Sequence, residues 1–259
     1  MISKAKLKAL SLYKTQKQCE ADNLFVVEGS KMCEEALRSD LEIVCLCAQA
    51  EWLQPRVGLL ASRSDIEMLE VSEADLERLS SLRSTGKAWM LVRRPTHTLP
   101  PTDSDTPLLA LDGLQDPGNM GIIVRTADWF GMRQIVCNHN TVSCYNAKAV
   151  QASMGSLFRT EVCYTALPEW LSTMRQQGYA VCGATLGGTS IYDVPPPTRA
   201  IIVVGNEGHG LSEAVDGQLT HRITIPNVGS TCESLNASIA TAIILADLAR
   251  RLHHTSPSH

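Results

Sequence analysis

Residues 107–126 read PLLALDGLQDPGNMGIIVRT: an almost unbroken apolar run, then a polar turn, then an apolar helical pattern. A run that is apolar at successive positions belongs to a strand buried on both faces, as in parallel sheets covered by helices on each side. Runs of the same kind recur as QIVCN (134–138), YAVCGAT (179–185), AIIVVG (200–205) and RITIP (222–226). Helical patterns lie between them, over Met120 to Phe130, Ala147 to Leu157, Pro168 to Gln176 and Ser234 to Leu252. The second half is therefore expected to be an open, mostly parallel α/β sheet. Ligands of such sheets sit outside the carboxyl ends of the strands.

Upstream, Arg93 to Pro107 (RRPTHTLPPTDSDTP) holds four prolines and no apolar periodicity, the composition of a linker. From Asn23 to Val92 short β-type runs alternate with helical ones: LFVVE, GSKMCEEALRS, LEIVCLCA, a polar helix, IEMLEV, SEADLERLSSL and AWMLV. Strands separated by helices predict a small α/β layer. Ser72 is placed to cap the helix that begins with Glu73, Ala74 and Asp75. The expected domains are residues 1–95 and 107–259, joined by a linker over 96–106.

The chain has 259 residues, 44% of them hydrophobic, enough to bury a sizeable core and too much for a disordered chain. Its longest uncharged apolar stretch, Ala237 to Ala246, is half of the roughly 20 residues that span a bilayer. The first residues lack the continuous apolar segment of a secretory signal, so a cytoplasmic location is expected. The nine cysteines include no CxxC pair, only Cys45-x-Cys47, and read as reduced, buried small hydrophobes. No metal site is expected. The net charge of −4 argues against a chain that coats nucleic acid along its length. Residues 1–17 depart from it: Lys4, Lys6, Lys8, Lys14 and Lys17 stand there with no acid, as an RNA-docking patch or as the solvated face of an amphipathic helix.

Three polar, glycine-containing segments each follow a strand and precede a helix, which puts all three at one edge of one sheet. The first runs from Asp112 to Gly121 and leads to Arg125, an arginine set among Ile, Val, Thr, Ala and Trp in the sequence. Such a neighbourhood predicts an anionic or hydrogen-bonding partner. The second is Val204 to Ser212, with three glycines in six residues; it is neither GxGxxG nor a Walker loop, so no pyrophosphate or triphosphate site is indicated. His209 within it is a possible acid or base, more readily incidental. The third runs from Ile225 to Asn236, where Ser234, Asn236 and Ser238 are either helix caps or ligand contacts.

Asn119-x-Gly121-x-x-x-Arg125-Thr126, Gly205-Asn206-Glu207-Gly208-x-Gly210-Leu211-Ser212 and Ile225-Pro226-x-x-Gly229-x-x-x-Ser234-Leu235-Asn236-x-Ser238-x-Ala240 resemble, in order and spacing, the three motifs of the SpoU/TrmH group of SPOUT RNA methyltransferases. The resemblance covers about residues 107–252. The N-terminal 95 residues resemble the small α/β RNA substrate-binding domain often joined to it, through Val27-Glu28-Gly29, Glu35-Ala36-Leu37 and Gly86. The resemblance implies a parallel α/β sheet whose C-terminal part is tied in a trefoil knot. It also implies methyl transfer from S-adenosylmethionine to a ribose 2′-hydroxyl of ribosomal or transfer RNA, and a homodimer.

By the same resemblance, Gly205, Ile225 and Leu235 would hold the cofactor with backbone groups. Arg125, Asn119, Glu207, Ser234 and Asn236 would line the catalytic site. Arginine suits a phosphate clamp through its planar fork of donors and is a poor general base, so the proton acceptor is either the phosphate it holds or Glu207. Glu233 beside Ser234 adds a negative charge next to an RNA-facing position. Two other readings are a non-catalytic RNA-binding or assembly factor on the same fold and a metabolic α/β enzyme with a nucleotide cofactor. The complete polar set disfavours the first, and the lack of a phosphate-binding fingerprint disfavours the second.

Overall fold

The structure, a computed structural model, describes residues 2–82, 86–102, 106–193, 199–229, 231 and 233–255. Residues 103–105 of the expected linker, and Ser230 and Cys232 of the third motif, lie outside the described residues. The chain divides into two compact units, Met1–Thr96 with Cys144–Arg159, and His97–Ser143 with Thr160–His259.

The first unit carries a four-stranded sheet of β1 (Leu24–Glu28), β2 (Ile43–Ala48), β3 (Glu67–Glu70) and β4 (Ala88–Arg93). The order is β1-β4-β2-β3, with β4 antiparallel to both neighbours and β2 parallel to β3. Helices α1 (Lys4–Ser11), α2 (Gln16–Ala21), α3 (Ser30–Leu37), α4 (Ala50–Leu53), α5 (Val57–Ala61) and α6 (Glu73–Leu79) complete it. Leu7 and Leu10 of α1 enter a core shared with Cys19, Cys45, Cys47, Leu76 and Trp89. Ser72 caps α6 in a reciprocal box with Asp75. Lys6 is paired with Glu67 at 2.7 Å and Lys14 bonds the Glu77 carbonyl, while Lys4, Lys8 and Lys17 are exposed. The eight described cysteines are buried thiols outside any disulfide.

Every residue of β1 is buried, so the carboxylate of Glu28 at its end must find donors. It accepts from the Ser80 hydroxyl and from the Ser81 amide (3.2 Å) and hydroxyl (2.7 Å). At Gly86 an added Cβ would lie 2.5 Å from the Gly29 Cα, so the backbones meet where only glycine fits.

The structure departs from a single break at the 96–106 linker by grouping Cys144–Arg159 with the first unit. Helix α8 (Ala147–Ser153) packs on β1, the Tyr145 ring lies 4.9 Å from Phe25, and Arg94 sits 5.2 Å over Tyr145. The helix expected to reach Leu157 stops at Ser153 because Met154 and Gly155 are left-handed, at φ 50° and 89°. A 3-10 turn follows at Ser156–Arg159. Hydropathy marks this helix as buried without showing which core receives it.

The second unit holds a six-stranded, wholly parallel sheet: β5 (Leu108–Leu111), β6 (Gln134–Asn138), β7 (Glu161–Thr165), β8 (Ala180–Ser190), β9 (Ala200–Val204) and β10 (His221–Thr224). Their order is β10-β8-β9-β5-β6-β7. Helices α7 (Pro117–Trp129), α9 (Leu167–Gln176), α10 (Glu213–Asp216) and α11 (Ala237–Thr255) belong to this unit. Leu108, Ala110, Val136, Ile201 and Val203 of the sheet pack with Leu167, Leu171 and Met174 of α9. Helix α11 lies against α7 and begins at Ala237 rather than Ser234.

Candidate active site at the carboxyl edge of the parallel sheet

The three glycine-containing segments leave the carboxyl ends of β5, β9 and β10, and the first two are locked together by the Asp112 amide, which donates to the Val204 carbonyl at 2.9 Å, and by side chains. Asp112, only 1% exposed, accepts from the Ser212 amide at 2.7 Å and from Asn138 Nδ2 at 2.8 Å, so one carboxylate joins the ends of β5 and β6 to the far end of the segment that follows β9. Gly113, at φ 70°, makes the turn and donates to Thr141 Oγ1 at 3.0 Å. Asp116 then caps α7 by accepting from the Asn119 amide at 2.8 Å, with Pro117 in the first turn.

In the second segment Asn206 and Gly210 exchange backbone hydrogen bonds of 2.9 Å each, closing a tight loop. The Asn206 side chain donates to the Gly113 carbonyl at 2.9 Å and accepts from the Gly208 and His209 amides. Gly205 is required by space: an added Cβ would lie 2.4 Å from the carbonyl carbon and oxygen of Gly210.

The third segment reaches the first two through Asn236. Its Oδ1 accepts from the Ser238 amide (2.9 Å) and hydroxyl (2.6 Å) at the start of α11, and its Nδ2 donates to Asn119 Oδ1 at 3.1 Å. Asn119 Nδ2 in turn donates to Glu207 Oε1 at 2.6 Å. Glu207, Asn119 and Asn236 thus form one chain of hydrogen bonds with a residue from each motif.

Beside this chain opens a cavity of about 720 Å³, lined by residues 184–186, 204–211 and 223–228 and by the start of α11. Gly205, Ile225, Leu235, Glu207 and Ser234 line it, together with His209. Asn119, which holds Glu207, and Asn236, which holds Asn119, are not among the lining residues.

Arg125 differs from its expectation. It is exposed, and among the described residues it has no hydrogen-bond or ion-pair partner. Its sequence neighbours Ile123, Val124 and Ala127 form the buried side of α7, whereas Arg125 shares the outer side with Ile122 and Trp129, both exposed. Adjacent helix positions do not face one another, so an apolar neighbourhood in sequence is not one in space.

Two contributors escaped the sequence reading. Asp112 was legible in principle, as an acid directly ending a strand buried on both faces, a place where a carboxylate needs donors. The wall formed by Ala184, Thr185 and Leu186 was hidden because YAVCGAT reads as plain strand.

The cavity suits a nucleoside better than a polyphosphate. Leu186, Ile223, Ile225, Pro226 and Leu235 give it apolar walls, and its volume lies within the usual ligand range of roughly 300–1,000 Å³. The Gly205–Gly210 contact brings backbone to its rim. A ligand-sized cavity with a fixed polar chain at the carboxyl edge of a parallel α/β sheet stands where proteins of this class hold their ligands. The sequence matches the SpoU rRNA Methylase family over residues 107–246, more than half of the chain, and an MRM3-like substrate binding domain over residues 4–88. It is 27% identical over 235 residues to the 23S rRNA (guanosine(2553)-2′-O)-methyltransferase RlmP of Bacillus subtilis, covering 90% of this chain and 92% of that one. A solved structure from Porphyromonas gingivalis, described as of the TrmH family, is 35% identical with a TM-score of 0.84 and covers 97% of this chain and 99% of its own. The SpoU methyltransferase AviRb of Streptomyces viridochromogenes, solved with AdoMet, is 22% identical with a TM-score of 0.84 over 97% and 99% of the two chains, a likeness of fold. The chain belongs to the SpoU rRNA Methylase family and is an RNA methyltransferase.

Proposed function

We infer that this chain methylates the 2′-hydroxyl of a ribose in ribosomal RNA, with S-adenosylmethionine as donor. The observation that carries the reading is the joining of all three motifs in the Glu207–Asn119–Asn236 chain beside the cavity, with Arg125 left without a partner among the described residues. The family match and the rRNA substrate in the name of the B. subtilis relative support ribosomal RNA over transfer RNA.

The cofactor supplies a methyl group already activated on a sulfonium. The residues that would hold it are Gly205, Ile225 and Leu235, through backbone groups at the cavity wall. Arg125 clamps the phosphate next to the target ribose with its fork of donors, which fixes the hydroxyl for attack. Ser234 and Asn236 orient the ribose. Asn119 and Glu207 keep the second and third motifs in place around it.

Residues 1–95 serve as the RNA substrate-binding domain and 107–259 as the methyltransferase domain, a division supported by the separate family matches. A C-terminal trefoil knot belongs to the same reading, supported by β10 lying outside β8 while the following α11 returns to α7. So does a homodimer, supported by Ile122, Trp129 and Ile239, large apolar residues exposed on α7 and α11. A cytoplasmic location fits these roles, and no helix among the described residues is long and apolar enough to cross a membrane.

The test is Arg125→Ala, assayed by tritium transfer from S-adenosylmethionine to ribosomal RNA and by calorimetric titration with S-adenosylhomocysteine. Transfer is expected to fall by at least 10²-fold, the scale of a lost charge-stabilising group, while binding stays near the wild-type value. Retained transfer overturns the role of Arg125. Failure of the folded wild-type chain to bind S-adenosylhomocysteine overturns the cofactor.

A further inference from the structure

The wall of the cavity formed by β8 holds a polar group that none of the described residues satisfies. Strand β8 pairs with β10 through Cys182 and Gly183, opposite His221 and Arg222, and then only from Thr189 and Ser190, opposite Ile223 and Thr224. Residues 184–188 are therefore thrown out of the ladder as a bulge, a device that re-aims side chains at a sheet edge. Glycine fixes both ends of it. At Gly183 a Cβ would lie 2.5 Å from Leu219, and at Gly188 it would lie 2.5 Å from the carbonyl carbon and oxygen of Arg222. The Thr224 hydroxyl, donating to the Leu186 carbonyl at 3.4 Å, ties the bulge back to β10.

The bulge presents Ala184, Thr185 and Leu186 to the cavity. The Oγ1 atom of Thr185 is buried and has no hydrogen-bond partner among the described residues. A buried hydroxyl left unpaired is costly, and valine would fill the same space without that cost. The surrounding walls, from Leu186, Ile223, Ile225 and Ala240, are apolar, so they suit a purine and its sugar more than a charged amino-acid group.

We propose that Thr185 is a cofactor-binding residue whose hydroxyl makes a hydrogen bond to the nucleoside half of S-adenosylmethionine. The proposal rests on the cofactor reading above and adds to its backbone contacts a side chain that selects the nucleoside.

The test compares Thr185→Val, which keeps the shape and removes the hydroxyl, with Thr185→Ser, which keeps the hydroxyl. Calorimetric titration with S-adenosylhomocysteine is expected to show about fivefold to tenfold weaker binding for Thr185→Val and wild-type binding for Thr185→Ser. 5′-Methylthioadenosine, which shares the nucleoside but lacks the amino-acid group, should weaken by the same factor. In the free protein the melting temperature of Thr185→Val should hold or rise, since an unpaired hydroxyl is being removed, whereas a structural hydroxyl would lower it. Unchanged affinity in Thr185→Val overturns the proposal, as does a loss seen with S-adenosylhomocysteine and absent with methylthioadenosine. If the wild-type chain binds neither ligand, the cofactor reading itself fails, a result distinct from both.

Discussion

Replacing Gly205 by alanine tests whether the second motif is held by contact between backbones. Gly205 has no left-handed φ, so alanine meets no conformational penalty there and the effect comes from space alone. The new Cβ would lie 2.4 Å from the Gly210 carbonyl carbon and oxygen and 2.7 Å from the Leu211 amide nitrogen. Unstrained contacts of this kind need about 3.5 Å, so the two backbones must part by about 1 Å, and neither is the loose end of a flexible side chain. Overpacking of this type costs about 1–3 kcal/mol, which lowers the melting temperature of a domain this size by about 2–12 °C. The larger effect should be on chemistry. The displaced turn carries the Asn206–Gly210 backbone pair and, between them, Glu207, which is bound to Asn119. A shift of about 1 Å at such a point lowers turnover by about 10²-fold. Thermal melts and tritium-transfer rates, each with S-adenosylhomocysteine titrations, would measure the three consequences. Gly187→Ala is the control, since an added Cβ there meets nothing within 4 Å and should leave stability unchanged. A Gly205→Ala protein with wild-type melting and wild-type transfer would refute the argument.

Two further expectations concern the supports around the site. Asp112→Asn must point an NH₂ group at one of two donors, the Ser212 amide or Asn138 Nδ2, and should cost about 1–3 kcal/mol in urea denaturation; an unchanged midpoint would show that the carboxylate is not what joins the strand ends. Sedimentation at micromolar concentration should give a dimer, converted to monomer by Trp129→Glu, because Trp129 is 83% exposed on α7 beside Ile122; a monomeric wild type would remove the dimer.

The runs that are apolar at every position were legible because burial on both faces leaves no other pattern. QIVCN is a strand to the residue, AIIVVG ends one residue earlier at Val204, and the three polar segments do meet at one edge. Strand β7, EVCYT, escaped because it stands at the edge of the sheet and is only partly buried. The start of α11 was misplaced by three residues because Ser234 and Asn236 are both residues that cap helices, and the Asn236 side chain does the capping. Arg125 was misjudged for a different reason. Its i±1 neighbours are apolar, but a helix faces by i±3 and i±4, and Ile122 and Trp129 are the residues beside it. Cys144–Arg159 could not be assigned to the first unit because its partners Gln16, Phe25 and Arg94 lie 50 or more positions away in the sequence.

The two halves of the site are prepared differently, and the difference follows from what each must do. Asn119 uses both ends of its amide inside the protein, donating to Glu207 and accepting from Asn236, so the three motifs are fixed before any ligand arrives. Fixing dipoles in advance removes the cost of reorganising them during reaction. Arg125 stands on the same helix, about two and a half turns from the Asp116 cap, yet its guanidinium bonds to none of the described residues. Had it been paired with a carboxylate, an RNA phosphate would have had to displace that partner, and much of the new interaction would only have replaced the old one. An unpaired arginine on a rigid helix keeps its full hydrogen-bonding capacity for the complex. Interactions made only there, and strengthened as charge develops on the ribose oxygen, lower the barrier instead of stabilising the free enzyme.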